Sequence, residues 1–266
     1  MKLLIIIICS LFLLSCSKKS QTQSSKDGSS KEVQKHGGKI SVNDSLIRYA
    51  RKGELEDVKK YLNEGAEINS RDDRQMTPLL WAIENEHSEV ARYLIEHGAD
   101  VNIADSAKRT PLIHACWNKG DTTIVRMLLN KGADVNAIDC SKETALFFAG
   151  TSNDSSIVEM LIDRGANLNL RNSSDETPLF HALSRHDVKK AKILIRRGAD
   201  INVINKDEKT PLIIAVEYSD KELVGMLLKK GANPAAKDID GKTALKIAEK
   251  YNNKELIQIL NRAEKE

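Results

Sequence analysis

Aromatic residues make up only 4% of this 266-residue sequence, and it has just five prolines and four cysteines. Strands favour aromatic and β-branched residues, so this shortage beside many Leu, Ile, Ala and Lys argues against a β-sandwich and for helices. Four cysteines are too few for a disulfide scaffold. Neither charge sign dominates: 41 basic against 38 acidic residues leave +3, which gives no global drive toward nucleic acid. Motifs of chemistry are missing too. There is no Gly-rich phosphate loop, HExxH, CxxC or nucleophile elbow, so catalysis has no visible seat and no cofactor is implied. The sequence does hold 41% hydrophobic residues, which suffices for a sizeable core and excludes disorder throughout.

One apolar run stands out, residues 3–14 (LLIIIICSLFLL), preceded by Met1-Lys2 and cut short by Ser17, Lys18, Lys19 and Ser20. A spanning helix needs about 20 apolar residues, so the run reads as a signal peptide over 1–15. Leu13-Leu14-Ser15-Cys16 resembles a bacterial lipobox. That resemblance implies cleavage before Cys16, loss of Cys9 and acylation of Cys16, a persistent anchor at about 0.8 kcal/mol per buried methylene. An ordinary secretory signal cut elsewhere is the alternative. Ser17, where the sorting rule for inner-membrane retention has Asp, implies the outer membrane, facing either the periplasm or the cell surface.

Residues 16–43 are rich in Ser, Lys, Gly and Gln and read as a flexible tether with a reach of roughly 30 Å. Six lysines (18, 19, 26, 31, 35, 39) against Asp27 and Glu32 give it +4. Attraction to an anionic leaflet of about 1 kcal/mol per Lys is one consequence, and a solvated spacer is the plainer one.

From residue 44 onward the chain repeats itself. Thr-Pro-Leu or Thr-Ala-Leu recurs at Thr77, Thr110, Thr144, Thr177, Thr210 and Thr243, at intervals of 33, 34, 33, 33 and 33. Gly-Ala pairs beginning at Gly65, Gly98, Gly132, Gly165, Gly198 and Gly231 keep the same phase. Thr caps a helix, Pro suits its first turn, and Gly takes the left-handed conformation past a helix end. Between these marks lie segments such as IVRMLL (124–129) and LVGMLL (223–228), with apolar residues at helical spacing. Asn69, Asn102, Asn136, Asn169 and Asn202 share one turn position, where a short amide bonds nearby backbone.

The pattern resembles the ankyrin repeat, whose template has this period and T-P-L-H-x-A, over about 223 of 266 residues. Leu80, Ile113, Phe147, Phe180 and Ile213 stand where the template has His. The expected fold is all-α, an ankyrin repeat solenoid of about seven stacked helix-turn-helix units with β-turn fingers. The units are 44–76, 77–109, 110–143, 144–176, 177–209, 210–242 and 243–266, the first and last being caps. One extra residue among Trp117, Asn118 and Lys119 lengthens a loop in the third.

His114 and His181 share one inner-helix position but lie two repeats apart, roughly 20 Å at packed-helix spacing, so they share no metal and read as solvated or contact-making. Cys116 reads as a buried small hydrophobe and Cys140 as an exposed finger thiol, not as a disulfide. Lys189, Lys190, Lys192, Arg196 and Arg197 read as a solvated helix face without the aromatic platforms that single strands of nucleic acid need.

Function then falls to recognition. The resemblance implies a non-enzymatic, monomeric module that binds a protein partner through fingers and inner helices, held at the membrane by Cys16. A structural spacer without a specific partner, and more remotely a small-ligand receptor or enzyme, are the alternatives. The expected partner surface is Trp81, Arg109, His114, Trp117, Phe148, His181 and Tyr218, with Trp117 leading because it falls in the lengthened loop. A plainer reading has Trp81 and Phe148 padding the finger base.

Overall fold

Thr at a fixed step starts one helix per repeat, and the protein follows that frame. The computed structural model describes residues 41–117, 121–150 and 155–263, and among these it contains fourteen α-helices and no strand. The signal run, Cys16, Lys18 to Lys39, Asn118 and Lys119 lie outside the described residues. In chain order the helices are α1 (Val42–Lys52), α2 (Leu55–Asn63), α3 (Pro78–Glu84), α4 (Ser88–Glu96), α5 (Pro111–Trp117), α6 (Thr122–Asn130) and α7 (Ala145–Phe148). There follow α8 (Ser156–Asp163), α9 (Pro178–Ser184), α10 (Val188–Arg196), α11 (Pro211–Glu217), α12 (Lys221–Lys229), α13 (Ala244–Lys250) and α14 (Lys254–Ala263). Seven helix pairs result, the all-α repeat solenoid expected. They form two compact units divided between Pro111 and Leu112.

The caps are the ones the sequence implies. Thr77, Thr177, Thr210 and Thr243 each accept at Oγ1 the backbone N–H three residues on, at 3.2 to 3.4 Å. Thr144 forms no such bond, and its helix α7 lasts one turn. A second row went unread in the sequence: Asp121, Asp187, Asp220 and Asn253 cap the outer helices α6, α10, α12 and α14 through side-chain oxygens. The first unit opens earlier than the tether boundary at residue 43 allows. Ser41 Oγ accepts from Asp44 N–H at 3.0 Å, so Val42 and Asn43 are helical.

Between helix pairs runs a finger with the same bonds each time. Oδ1 of Asp72, Asp105, Asp139, Asn172, Asn205 and Asp238 accepts the N–H groups two and four residues further on, at 2.7 to 3.0 Å. The bond holds the next-to-last finger residue left-handed at Gln75, Lys108, Lys142, Asp175 and Glu208, with φ between 57° and 66°. For a side chain with a Cβ that conformation costs about 1 to 2 kcal/mol.

The asparagine row bonds differently from expectation. Asn69, Asn136, Asn169 and Asn202 reach not their own turn but the next repeat, accepting at Oδ1 from Asp100, Asn167, Asp200 and Asn233 N–H at 2.8 to 3.2 Å. Asn136 also donates from Nδ2 to the Gly165 carbonyl at 3.1 Å. Each amide therefore sets the offset between neighbours within a unit.

The core is the apolar set that fills these pairs. In the first unit Ile47, Met76, Leu80 and Trp81 form one buried cluster. In the second, Leu112, Leu128, Leu146, Phe147, Phe180 and Ile213 are buried, so the residues standing at the template's His are packing groups. Leu128 is fully buried. Leu128→Ala should cost roughly 2 to 5 kcal/mol in urea unfolding, through lost burial and the cavity left behind.

Candidate functional site

The seven residues expected to meet a partner divide sharply by exposure. In the first unit Trp81 is buried, its Nε1 donating to Asp72 Oδ2 at 2.8 Å while the Arg51 guanidinium lies 4.4 Å from its ring centroid. The indole thus braces its own finger. Arg109 is half-buried in the finger of the second repeat, where its N–H bonds Asp105 Oδ1 at 2.9 Å.

In the second unit His114, Phe148 and His181 are buried as well. The partner-surface expectation for Trp81, His114, Phe148 and His181 is therefore corrected: burial favours the padding alternative for Trp81 and Phe148, and contact rather than solvation for the two histidines. Their shared inner-helix position is enclosed by neighbouring side chains. Trp117 and Tyr218 are different, at 38% and 43% exposed. The Trp117 ring is tilted against Phe148 with centroids 4.8 Å apart, and Tyr218 packs on His186, which the sequence reading did not include. His186 has no chemical motif around it, and only its place two residues beyond the inner helix would have picked it out. Among the described residues the structure brings Trp117 to Phe148 and Tyr218 to His186.

The basic helix α10 holds the largest surprise. Lys190 is 2% exposed, and its Nζ donates to the Phe147 carbonyl at 2.8 Å. Five of the other six repeats carry Val90, Ile124, Ile157, Leu223 and Leu256 at this position, with Asp57 in the first, so aligning the repeats against one another was the signal that could have found it. Lys192 and Arg197 are not simply solvated either, since they pair with Glu222 and Asp163 on adjacent outer helices. Exposed pairs of this kind contribute little to stability. Burial pushes the Lys190 amine down to about 8, against the pull of Asp187. Burial likewise pushes the Cys116 thiol up to about 12, and holds the Glu143 carboxyl above its ordinary range despite the bond from Asn172 Nδ2 at 3.0 Å. Cys116 is the buried small residue expected, whereas Cys140 is half-buried rather than exposed.

An open pocket of about 60 Å³ lies among Leu183, His186, Asp187, Tyr218 and Asp220. It has room for a water or two, far below the several hundred Å³ of a small-molecule site. Among the described residues no three His, Cys, Asp or Glu side chains gather where they could hold a metal ion, and no helix is long and apolar enough to cross a membrane.

Comparison with known proteins agrees with the repeat geometry. A family model described as ankyrin repeats matches three times, over residues 46–139, 136–205 and 189–266. Two curated proteins of Arabidopsis thaliana, acyl-CoA-binding domain-containing proteins 2 and 1, are each 40% identical over 53 residues. That stretch is 20% of this chain and 15% and 16% of theirs, so the chain spans less than a fifth of either relative.

Lys190 makes a stability prediction with a definite sign. Between about 8 and 10.5 the unfolded chain binds a proton that the folded chain does not, so the stability tied to this group is present above 10.5 and lost as pH falls through 8. The unfolding free energy of the native protein should rise by up to about 3 kcal/mol relative to Lys190→Leu between pH 7.5 and 10. Denaturant titrations of both proteins at several pH values check it, and parallel curves would contradict it.

Proposed function

This chain belongs to the ankyrin-repeat family, and on that basis we propose that it is a protein–protein interaction module held at a bacterial envelope membrane through an acylated Cys16. Recognition rather than catalysis fits the family. The observation that carries the reading is Trp117, a large exposed ring braced from beneath by the buried Phe148. A rigid aromatic of this kind buries area against a partner with little loss of rotamer entropy, which is why Trp dominates binding hot spots. Tyr218 on His186 extends the same surface within the second unit, and half-buried Arg109 remains a candidate in the first. Acyl-CoA binding, which the names of the two plant proteins state for them, is not proposed here, because the shared 53 residues are fewer than two repeat periods.

The membrane half of the proposal rests on residues 1–43: the short apolar run, Leu13-Leu14-Ser15-Cys16 and a polar tether long enough to hold the repeats clear of lipid. Ser17 favours the outer membrane, and we take the module to be monomeric. Cys16→Ser should move the protein from the membrane to the soluble fraction or leave its precursor uncleaved. Mass spectrometry of the mature N-terminus decides the matter, and an unmodified chain starting elsewhere overturns the anchor.

The partner half is tested in intact envelopes with a photo-crosslinking amino acid placed at position 118, beside Trp117. A specific crosslinked protein is expected. Against that protein Trp117→Ala should weaken binding by about 2 kcal/mol or more while the thermal midpoint stays nearly unchanged. Unchanged affinity would move the interface away from this surface.

A further inference from the structure

Several irregularities of the second unit meet at repeat four. Its inner helix α7 stops after four residues, where α3, α5, α9, α11 and α13 run seven. The chain turns extended at Ala149 (φ −60°, ψ 142°), and the Phe147 carbonyl accepts from Lys190 Nζ. Gly150, at φ +100°, passes so close to α10 that a Cβ there would sit 2.7 Å from Asp187 Oδ2. Against this helix end lies His181, edge-on to Phe147 with centroids 5.5 Å apart, its Nε2 accepting from Arg185 Nε at 3.0 Å.

An imidazole that accepts at Nε2 is neutral. A proton there turns the acceptor into a donor facing a donor and sets a third cation beside Arg185 and Lys190. Burial and those two cations already push His181 down to about 3. The other groups around the cluster do not offset this. The Cys116 thiol stays neutral, and Asp187 is engaged as the cap of α10. Acid relieves Glu143 itself, whose carboxyl burial raises, but the proton it takes removes a counter-charge.

We propose that repeat four is an acid-opened joint, in which protonation of His181 unseats the one-turn helix α7 and with it the buried Phe148 on which the Trp117 ring rests. The opened chain binds a proton between pH 6.5 and about 3 that the closed chain refuses, so the closed joint loses stability as pH falls through that window. Elsewhere in the second unit Ile214 and Ile247 occupy the equivalent position and do not titrate, and those repeats have full-length inner helices. His114 is the exception in repeat three, on a seven-residue helix, and so serves as the control. Acid release of a partner would rest on the reading of Trp117 given above; the joint itself does not.

The chain has two tryptophans, so full-length protein carrying Trp81→Phe reports Trp117 alone. Its emission should shift reversibly between pH 6.5 and 3. His181→Ile in that background should abolish the shift, while His114→Ile should leave it. Hydrogen exchange in the same range should show α7 and the start of α10 losing protection while α3 and α4 keep theirs. If circular dichroism at pH 7 shows that His181→Ile folds poorly, Arg185→Met replaces it, and removing that donor and charge should move the midpoint to lower pH. Unshifted Trp117 emission, a shift that survives His181→Ile, a midpoint unmoved by Arg185→Met, or protection lost uniformly across the chain would each overturn the joint.

Discussion

Every finger of this protein hangs on one side-chain oxygen. Oδ1 of Asp72 and of its five counterparts takes two backbone N–H groups at once, and by doing so holds a left-handed residue where glycine is mostly absent. The strain is local and repeated, and it is offset because the turn delivers the following Thr in position to cap the next inner helix. Once the finger is set, the asparagine row binds it to the next finger of the same unit, and the apolar faces meet in register. A single repeat could not bury its own face, so the finger bond is the constraint on which stacking depends.

Within that regular scheme repeat four stands apart. Its Thr144 makes no cap, its inner helix is one turn long, and the Phe147 carbonyl accepts from the following repeat through a lysine placed where five of the others have Val, Ile or Leu. A buried lysine bonded to a carbonyl avoids an orphaned acceptor but keeps a charge out of water, which is a poor bargain for stability. His181 and Glu143 add two more ionisable groups to the same interface. Regular repeats thus flank a junction whose stability depends on protonation.

The same junction underlies the Trp117 ring. The Trp117 ring is tilted against Phe148, and Phe148 belongs to the shortened helix. Tyr218 and His186 form a second exposed ring pair further along the unit. Of the other residues first expected on the partner surface, Trp81, His114, Phe148 and His181 are buried and Arg109 is half-buried.

Much of this was legible without coordinates. Thr-Pro starts, Gly stops and a 33-residue step act through bonds inside one repeat, so the helix pairs and their frame follow from spacing, and the resemblance to the ankyrin repeat implied the all-α solenoid. The burial of His114 and His181, the reach of Asn136 and Asn169 into the next repeat, and the seat of Lys190 did not follow, and spacing left Trp81 and Phe148 open between surface and padding. Those depend on what a neighbouring repeat places opposite a side chain. Helical spacing says that Lys190 shares a face with Leu194, but only the packed array decides that this face is closed to water and that a carbonyl waits there to receive the amine.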